Sequence, residues 1–470
     1  MLDKLKEECG VFGIRTKGND SAGMTHSALM ALQHRGQEGA GIASLEGEHI
    51  NIYKNRGLVS EVFSPEIIKE LGDTEISIGH VRYSTTGSNS RENTQPIVAE
   101  YLKGRLAVAH NGNIVNSMEI REELEKEGCS FASTNDSESI AKLIGFEMLK
   151  ENDELKAIEK AVNRLKGAFS LVIVTSGNRL VAVRDGWGFR PLCLGKGENG
   201  IAVASESCAF DSVNYEFIRD IEPGEMVIIN EDLSVESKTV LEKDTKGSCI
   251  FEYVYFARTD SNIDGLSVYD ARINMGRQLA REFKIDADIV CGVPDSGLEA
   301  AIGYAKESGI PYEFGFVKNR YIGRSFIFPS QEQREKAVKL KLNPLTSNLK
   351  GKRVILIDDS IVRGTTSAKL IKNVRRAGAK EVHMLVSSPM FKHTCYFGTD
   401  IDSEENLAAN RMTLDEIRQS IGADSLGYIS VEGLKKACLG CKRDFCTGCF
   451  DGNYPLKIKS YSKSQFEQKK

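Results

Sequence analysis

The sequence lacks long apolar runs and a strong excess of charge. No apolar stretch approaches the roughly 20 residues that span a bilayer, and the charged segment 1–8 is too short for a signal peptide. The formal net charge is only −4, from 62 basic and 66 acidic side chains, so no general field attracts nucleic acid or an anionic membrane. We therefore expect a soluble, cytoplasmic protein that binds neither nucleic acid nor membranes.

Tandem repeats and low-complexity segments are also absent, and the cysteine count argues against a secreted disulfide framework. The chain has 11 cysteines in 470 residues, which favours thiols that act in metal ligation or catalysis. This length is enough for two or three domains of the usual size, about 100–200 residues. The polar stretch 230–248 is the best candidate for a boundary between domains.

The pattern of apolar residues changes across that stretch. Up to about residue 235, short apolar runs alternate with glycine-rich and polar turns, which predicts a sheet-rich domain with a few helices. From about residue 285, strand-like runs such as 353–358 are each followed by a helical pattern such as 365–377, where Gly378 fits the C′ position. Repeated strand-helix-strand units predict a mainly parallel sheet with helices on both faces.

Two adjacent aspartates, Asp358 and Asp359, follow the apolar run 354–357. Carboxylates at the carboxyl end of a buried parallel strand lie where open α/β sheets bind ligands. The Gly-Thr-Thr turn after them offers N–H groups and hydroxyls to a phosphate at a helix N-terminus. The alternative is that Asp359 and Thr365 only cap the following helix.

This arrangement resembles the signature of type I phosphoribosyltransferases, which bind 5-phosphoribosyl 1-pyrophosphate. The resemblance implies that Asp358 and Asp359 contact the ribose hydroxyls or Mg²⁺, and that the following loop holds the 5′-phosphate. The turn 292–297 matches the pyrophosphate and magnesium turn of the family, so Ser296 is a further candidate Mg²⁺ ligand. Ser296 also fits a capping box with Glu299. The candidate loop contacts are Ser360, Gly364, Thr365 and Thr366.

The basic segment 317–324 resembles the flexible loop that closes over pyrophosphate in this family. Its candidate contacts are Lys318, Arg320 and Arg324. Three cations around a glycine suit an anionic ligand that needs a lid. The alternative is an exposed charged loop.

Three motifs of the first half, at 79–87, 109–113 and 134–138, resemble in order those of N-terminal-nucleophile glutamine amidotransferases. With the second half, the chain resembles the glutamine phosphoribosylpyrophosphate amidotransferase family from residue 9 to about 450. The resemblance implies an α+β glutaminase domain with α/β/β/α layers over 9–235. An α/β type I phosphoribosyltransferase domain with a helical, cysteine-rich extension then covers 250–470. It also implies that ammonia released at Cys9 passes to the second domain and makes 5-phosphoribosylamine, at the first committed step of purine synthesis.

Without its sequence context, Cys9 is best interpreted as a small apolar residue at the start of a strand. As a nucleophile, its thiolate attacks the glutamine amide and releases ammonia, and water then clears the thioester. If Cys9 becomes the first residue, its α-amine, with an unperturbed pKa near 8, serves as general base. Segment 1–8 is therefore predicted to be a propeptide.

The family resemblance also implies three binding roles in the first domain. Asn111 and the backbone N–H of Gly112 would form the oxyanion hole, Arg82 would pair with the substrate α-carboxylate, and Asp136 with its α-ammonium. Each has an alternative: Asn111-Gly112 is a common turn pair, Arg82 can be a surface cation, and Asp136 can cap its helix.

The cysteines of the C-terminal region form two CxxC pairs, Cys438/Cys441 and Cys446/Cys449. The gap of four residues between the pairs is short for a four-cysteine zinc site. The iron–sulfur, propeptide-processed subgroup of the family implies one [4Fe–4S] cluster per subunit, with Cys438 and Cys441 left over. Its ligands would be Cys249, Cys395, Cys446 and Cys449. Four thiolates can hold zinc or a cluster, and their chemistry alone does not choose.

The implied partners are small molecules and further copies of the chain. The resemblance implies glutamine and 5-phosphoribosyl 1-pyrophosphate as substrates, one Mg²⁺ per subunit, purine nucleotides as inhibitors, and a homo-oligomer, either a dimer or a tetramer. A regulatory phosphoribosyl-pyrophosphate-binding protein is the alternative from another class, but the sequence shows no DNA-binding module. A glutamine-dependent hexosamine-phosphate synthase shares the first-domain chemistry and lacks the Asp358-Asp359 motif.

Overall fold

The computed structural model describes residues 9–18, 20–83, 90–242, 246–319, 342–401 and 403–456. The predicted propeptide 1–8 and the candidate lid residues Arg320 and Arg324 lie outside the described residues. Within the described ranges, no helix combines the length and the apolar character that a membrane span requires. All 11 cysteines lie in these ranges, and none forms a disulfide.

The first half of the chain folds into two antiparallel sheets that pack face to face. Side chains such as Val11, Ile78, Ala107 and Val172 fill the space between the sheets. The seven-stranded sheet has the spatial order Glu216–Asp220, Cys193–Gly197, Gly200–Ala204, Gly10–Thr16, Ile76–Arg82, Gly39–Glu46, His49–Arg56. The six-stranded sheet has the order Val235–Thr239, Glu225–Ile229, Arg179–Arg184, Gly167–Thr175, Gly104–Ile114, Ile97–Tyr101.

Helices cover the outer face of each sheet, which gives the predicted α/β/β/α layers. Ser21–Ala31, Val59–Val62, Pro65–Glu70 and Cys208–Asp211 lie with the seven-stranded sheet. Ser117–Lys126, Asp136–Lys150 and Glu154–Val162 lie with the six-stranded sheet. The last strand of this sheet, Val235–Thr239, runs through the stretch that the polar composition marked as a boundary. The folded first half therefore extends to Thr239 and not only to residue 235.

The second half contains a four-stranded parallel sheet, as the strand-helix alternation predicted. Its spatial order is Ile289–Gly292, Arg353–Asp358, Glu381–Val386, Ser425–Tyr428. Val268–Glu282 and Leu298–Ser308 pack on one face, and Thr365–Arg376 and Leu414–Ile421 on the other. Gly378 has a φ of +95° just beyond its helix, as expected for a C′ glycine.

Shorter elements surround the parallel sheet. A π-helix, Glu252–Phe256, directly follows the strand Lys246–Cys249, which pairs in parallel with Asp444–Cys446. Two small hairpins are formed by Asn262–Ile263 with Leu266–Ser267 and by Phe316–Lys318 with Leu342–Pro344. The remaining short helices are Thr346–Leu349, Glu404–Asn406, Ala408–Arg411, Val431–Ala437 and Gly448–Asp451.

The two halves share buried polar contacts. Arg35 pairs with Glu252 at 2.8 Å, and Arg184 pairs with Asp264 at 2.8 Å. All four side chains are almost completely inaccessible to solvent. Since a buried charge is costly without its partner, these pairs fix how the halves meet.

Candidate active site

Cys9 immediately precedes the central strand of the seven-stranded sheet. Its neighbour Gly10 lies opposite Val81 in the ladder, which places Cys9 beside the end of the strand Ile76–Arg82. The Cys9 side chain is 8% exposed, and its Sγ donates to the carbonyl oxygen of Tyr83 at 3.5 Å. Cys9 is thus buried at a strand end, beside Tyr83, the last described residue of the motif 79–87.

Asn111 and Gly112 lie inside the strand Gly104–Ile114, so the turn interpretation is wrong. The Asn111 Nδ2 atom is buried and has no hydrogen-bond partner among the described residues. A buried amide donor without a partner is costly, and an oxyanion would satisfy it. Gly112 has a φ of +143°, and a Cβ there would lie 2.1 Å from the Ala168 carbonyl oxygen, so this strand position requires glycine.

Arg82 and Asp136 are both buried, at 2% and 4% exposure. Burial lowers the pKa of Arg82, whereas the nearby Cys9 and Asp136 raise it, so these three groups lie within electrostatic range of one another. The surface-cation interpretation of Arg82 is therefore wrong. Asp136 does not cap its helix, because Asn135 accepts from the Ser137 N–H.

The carboxylate of Asp136 is tied to the strand that carries Asn111. Its Oδ2 accepts from the Ile114 N–H at 2.9 Å. Asp136 and the candidate oxyanion donors therefore keep a fixed relative position. Arg82 thus lies near Cys9 and Asp136, and Asp136 is bonded to the strand that contains Asn111 and Gly112.

Two buried histidines, His80 and His110, lie near this site, and no local sequence pattern indicated their roles. Burial lowers the pKa of His80 to about 3, and its Nε2 lies 3.0 Å from the His110 carbonyl oxygen. His110 Nδ1 lies 3.0 Å from the Ser137 hydroxyl, and burial also lowers its pKa. Burial disfavours protonation of both rings, so both serve as neutral hydrogen-bonding groups and are weakened as proton acceptors.

A loop around Gln95 supports the same strand. Gln95 accepts from the His110 N–H at 2.7 Å and donates to the His110 carbonyl at 3.2 Å. Lys54 clamps this loop, since its ammonium donates to the carbonyls of Thr94 and Pro96 at 2.5 and 3.1 Å. Burial lowers the pKa of Lys54 to about 8. Sequence reasoning missed Lys54, because a contact between distant strands leaves no local pattern.

Asp358 and Asp359 lie at the carboxyl end of the second strand of the parallel sheet and are 2% and 0% exposed. The Ser296 hydroxyl donates to Asp359 Oδ2, and the Ser360 hydroxyl donates to Asp359 Oδ1 at 2.5 Å. Ser296 therefore joins the acid pair, as the resemblance implied. The capping-box interpretation is wrong, because Gly297 precedes that helix without a side-chain cap and Glu299 accepts from Thr259.

The loop after the acid pair ends at Gly364, which has a φ of +87° and leads into the helix Thr365–Arg376. The residue before the first turn is therefore a glycine, which has no side chain to cap the helix. The positive end of a 12-residue helix is directed at the loop, where it favours an anion. Thr365 and Thr366 lie in its first turn.

Lys318 is the one predicted lid residue that lies in the described part of the chain. Its ammonium pairs with the Asp295 carboxylate in the turn 292–297. The start of the basic segment therefore lies beside the candidate pyrophosphate turn.

The donor set at the acid pair fits Mg²⁺. Within the described ranges, no group of three or more His, Cys, Asp or Glu side chains has the geometry to hold a metal ion. Magnesium needs no such group, since it commonly takes one or two carboxylates and completes its shell with water and substrate phosphates. Asp358 and Asp359, with the hydroxyl of Ser296, provide that kind of partial site.

Cys249, Cys395, Cys446 and Cys449 line one common cavity. The other wall residues are mainly aromatic and apolar, together with Arg190 and Thr399. Cys438 and Cys441 lie outside the cavity; Cys438 is buried, and the Tyr253 hydroxyl lies 3.4 Å from Cys441 Sγ. Of the six cysteines considered as ligands or left-over thiols, four therefore share one cavity and two do not.

Burial raises the pKa of Cys446 to about 12 and raises that of Cys449 well above its ordinary value, and the neighbouring cavity thiols add to the shift of Cys449. Four thiolates can hold zinc or an iron–sulfur cluster, and the chemistry of the four thiols does not choose between the two.

Comparison with known proteins matches both halves of the chain. A glutamine amidotransferase domain family matches residues 80–212, and a phosphoribosyl transferase domain family matches residues 267–400. The amidophosphoribosyltransferase of Methanocaldococcus jannaschii is 49% identical over 465 residues, covering 96% of this chain and 98% of that protein. The Bacillus subtilis amidophosphoribosyltransferase is 46% identical over 465 residues, covering 97% of this chain and 95% of that protein.

Solved structures agree. The Bacillus subtilis glutamine phosphoribosylpyrophosphate amidotransferase, solved in complex with ADP and GMP, superposes with a TM-score of 0.89 at 44% identity. The match covers 96% of this chain and 98% of that structure. With near-complete coverage of both chains and a match to both domain families, the chain belongs to the amidophosphoribosyltransferase family.

Proposed function

We propose that this glutamine-dependent phosphoribosylpyrophosphate amidotransferase releases ammonia at Cys9 and uses it at the Asp358-Asp359 site to make 5-phosphoribosylamine. The observation that carries the first step is the buried Asn111 Nδ2, which has no partner among the described residues and lies in the strand of Gly112. The second step is supported by the acid pair at the strand end, next to the helix N-terminus after Gly364.

In the first reaction, the Cys9 thiolate adds to the side-chain carbonyl carbon of glutamine. Asn111 Nδ2 and the Gly112 N–H donate to the oxyanion, while the Cys9 α-amine takes the thiol proton and returns it to the leaving ammonia. Water then hydrolyses the thioester to glutamate. Arg82 pairs with the substrate α-carboxylate and Asp136 with its α-ammonium.

In the second reaction, ammonia attacks C1 of phosphoribosyl pyrophosphate and pyrophosphate leaves. Asp358 and Asp359 hold the ribose hydroxyls, and the loop of Ser360, Gly364, Thr365 and Thr366 holds the 5′-phosphate. Lys318 pairs with the pyrophosphate in place of Asp295, together with Arg320 and Arg324. Magnesium, held by Asp358, Asp359 and Ser296, would neutralise charge on the pyrophosphate when bound.

The four cavity cysteines are proposed to hold one [4Fe–4S] cluster. All four thiols line a common cavity, which supports this assignment. A cluster there would tie the strand of Cys249 to the C-terminal strand of Cys446, so its role would be structural.

Processing, regulation and assembly follow from the same assignment. Cys9 has an α-amine to act as a base only after residues 1–8 are removed, so we propose that they form a propeptide. Inhibition by ADP and GMP is supported by the Bacillus subtilis structure, which was solved with both nucleotides. We further propose a homo-oligomer, either a dimer or a tetramer.

The test is pyrophosphate release from phosphoribosyl pyrophosphate, Mg²⁺ and glutamine by the purified full chain. We expect one pyrophosphate and one glutamate per turnover. Pyrophosphate release that needs no nitrogen donor would contradict the proposal. An intact-mass spectrum of the active enzyme should begin at Cys9, and a spectrum that begins at Met1 would reject the propeptide.

A further inference from the structure

A buried series of charged side chains joins the main chain of Cys9 to the second half of the molecule. Arg35 Nε donates to the Cys9 carbonyl oxygen at 3.0 Å. The other two nitrogens of Arg35 donate to the Glu252 carboxylate at 3.0 and 2.8 Å. Glu252 Oε1 also accepts from Arg190 Nη1 at 3.2 Å. All three side chains are 1% exposed, so water does not compete for these bonds.

The far end of this series is the wall of the cysteine cavity. Arg190 donates from Nε and Nη2 to the Phe397 carbonyl oxygen at 3.2 and 2.7 Å, and from Nη2 to the Thr399 hydroxyl at 3.3 Å. The Phe397 N–H in turn donates to Cys395 Sγ at 3.4 Å. One guanidinium therefore holds both Glu252 and the segment that follows a cavity cysteine.

The same segment also touches the strand of the candidate oxyanion hole. Asn113 Nδ2 donates to the Tyr396 carbonyl oxygen at 2.8 Å. Gly398 has a φ of +114°, and a Cβ on it would lie 3.3 Å from the Gly112 carbonyl carbon. Segment 396–399 thus packs against the Gly112 backbone with no side chain between them.

We propose that Glu252 and Asn113 are positioning residues of the glutaminase site, which hold its nucleophile and its oxyanion strand on segment 396–399 of the cysteine cavity. The inference rests on the proposed function, since it requires Cys9 to be the nucleophile. The Cys9 carbonyl and the Gly112 backbone are separate parts of that site, and both are fixed to one segment. A displacement of about 1 Å in such a site costs on the order of 100-fold in rate.

Charge balance explains why Glu252 is the central member. Arg35 has a second carboxylate partner, Glu206, at 2.5 Å, and Arg35 and Arg190 share Glu252. The two arginines therefore face two buried glutamates. Neutralising Glu252 weakens the contact that Arg190 Nη1 makes with it at 3.2 Å and releases Arg35 from its two-pronged contact, which relaxes the hold on Cys9.

The test uses Glu252→Gln and Asn113→Ala in the full, as-purified enzyme. We expect each variant to lower kcat for glutamine hydrolysis by about 10- to 100-fold, with KM for glutamine within about twofold of wild type. Alkylation of Cys9 by 6-diazo-5-oxo-norleucine, followed by peptide mass spectrometry, should slow in parallel. Ammonia-dependent phosphoribosylamine synthesis should keep its rate, because that reaction does not use Cys9.

Asp264→Asn is the matched control. Asp264 makes an equally buried two-pronged contact with Arg184 at 2.8 and 2.9 Å between the same halves, and this pair has no contact with Cys9. We expect Asp264→Asn to lower thermal stability and leave the alkylation rate of Cys9 unchanged. If Glu252→Gln does not fold, the double variant Glu252→Gln/Arg190→Gln removes one charge of each sign and carries the same expectation.

Three outcomes would overturn the inference: wild-type alkylation rates in Glu252→Gln, an equal loss of alkylation in Asp264→Asn, or a parallel loss of ammonia-dependent synthesis. Failure of the proposed function gives a different result. In that case wild-type Cys9 itself is not alkylated, and glutamine is not hydrolysed.

Discussion

Cys249 and Cys446 are register partners in a short parallel ladder, although one precedes the parallel sheet in the sequence and the other follows it. Two strands of three or four residues supply few hydrogen bonds of their own. A group that binds both thiols would cross-link the beginning and the end of this half of the chain, which restricts the unfolded state. The cavity cysteines therefore suit a stabilising role better than a chemical one.

Replacement of one cavity cysteine should prevent binding of the proposed cluster. We expect wild-type protein prepared without oxygen to contain about four irons and about four acid-labile sulfides per chain. The iron and sulfide contents of Cys449→Ser, prepared in the same way, should be well below these values. Its thermal midpoint should fall as well, since the ligand no longer ties the ladder. Iron and sulfide assays with a thermal melt provide the measurement.

Cys438→Ser is the control, because Cys438 also belongs to a CxxC pair of the C-terminal region but lies outside the cavity. It should keep its iron and sulfide. Stoichiometric zinc without sulfide in the wild-type protein would reject the cluster.

Removal of the proposed nucleophile should separate the two reactions. Cys9→Ala should abolish glutamine hydrolysis and leave ammonia-dependent synthesis near the wild-type rate, since the acid pair belongs to the other sheet. Cys129→Ala, at a partly exposed cysteine of the same domain, should change neither rate. Loss of both activities in Cys9→Ala would contradict the division of labour between the two sites.

Much of the fold could be predicted from local patterns. The apolar run 353–358 and the helical pattern 365–377 appear as Arg353–Asp358 and Thr365–Arg376. Periodicity and a C′ glycine are encoded by adjacent residues, so the sequence carries them directly. The motifs around Asn111 and Asp358 were equally local, and their family resemblance supplied the proposed roles.

Other features depend on contacts between distant residues and leave no local signal. The spacing of Ser296 and Glu299 satisfies a capping box, yet both side chains have other partners. The Ser296 hydroxyl donates to Asp359, and Glu299 accepts from the Thr259 hydroxyl. In both cases a tertiary hydrogen bond forms in place of the local capping bond. The pairing of Arg35 with Glu252 is equally invisible in the sequence.

The acid pair should be needed for synthesis whether glutamine or free ammonia supplies the nitrogen. Asp359→Asn should raise the Mg²⁺ and phosphoribosyl pyrophosphate concentrations for half-maximal rate by about 10- to 100-fold, the range for loss of a charged hydrogen-bonding group. The effect should be equal with glutamine and with ammonia. Asp288→Asn, at the opposite end of the same sheet beside Arg353, is the control and should leave both values unchanged. A defect confined to glutamine would argue against the role of Asp359.

Lys54 should make stability depend on pH in the alkaline range. Burial lowers its pKa from 10.5 to about 8, partly offset by Glu138 and Glu92, while Arg91 and Arg82 lower it further. Between these pH values the unfolded chain holds a proton that the folded chain has released, so folding becomes more favourable as pH rises. The gain is at most about 3 kcal/mol. Thermal midpoints of wild type and Lys54→Met, measured from pH 7 to 10.5, should reveal it.

The expected signature is a wild-type midpoint that rises relative to Lys54→Met above pH 8 and keeps a constant offset below it. Lys54→Arg supplies the matched control, because arginine stays protonated throughout this range. The offset between Lys54→Arg and Lys54→Met should therefore not vary with pH through this site. A constant offset between wild type and Lys54→Met up to pH 10.5 would show that the carbonyls of Thr94 and Pro96 outweigh burial and keep the ammonium charged.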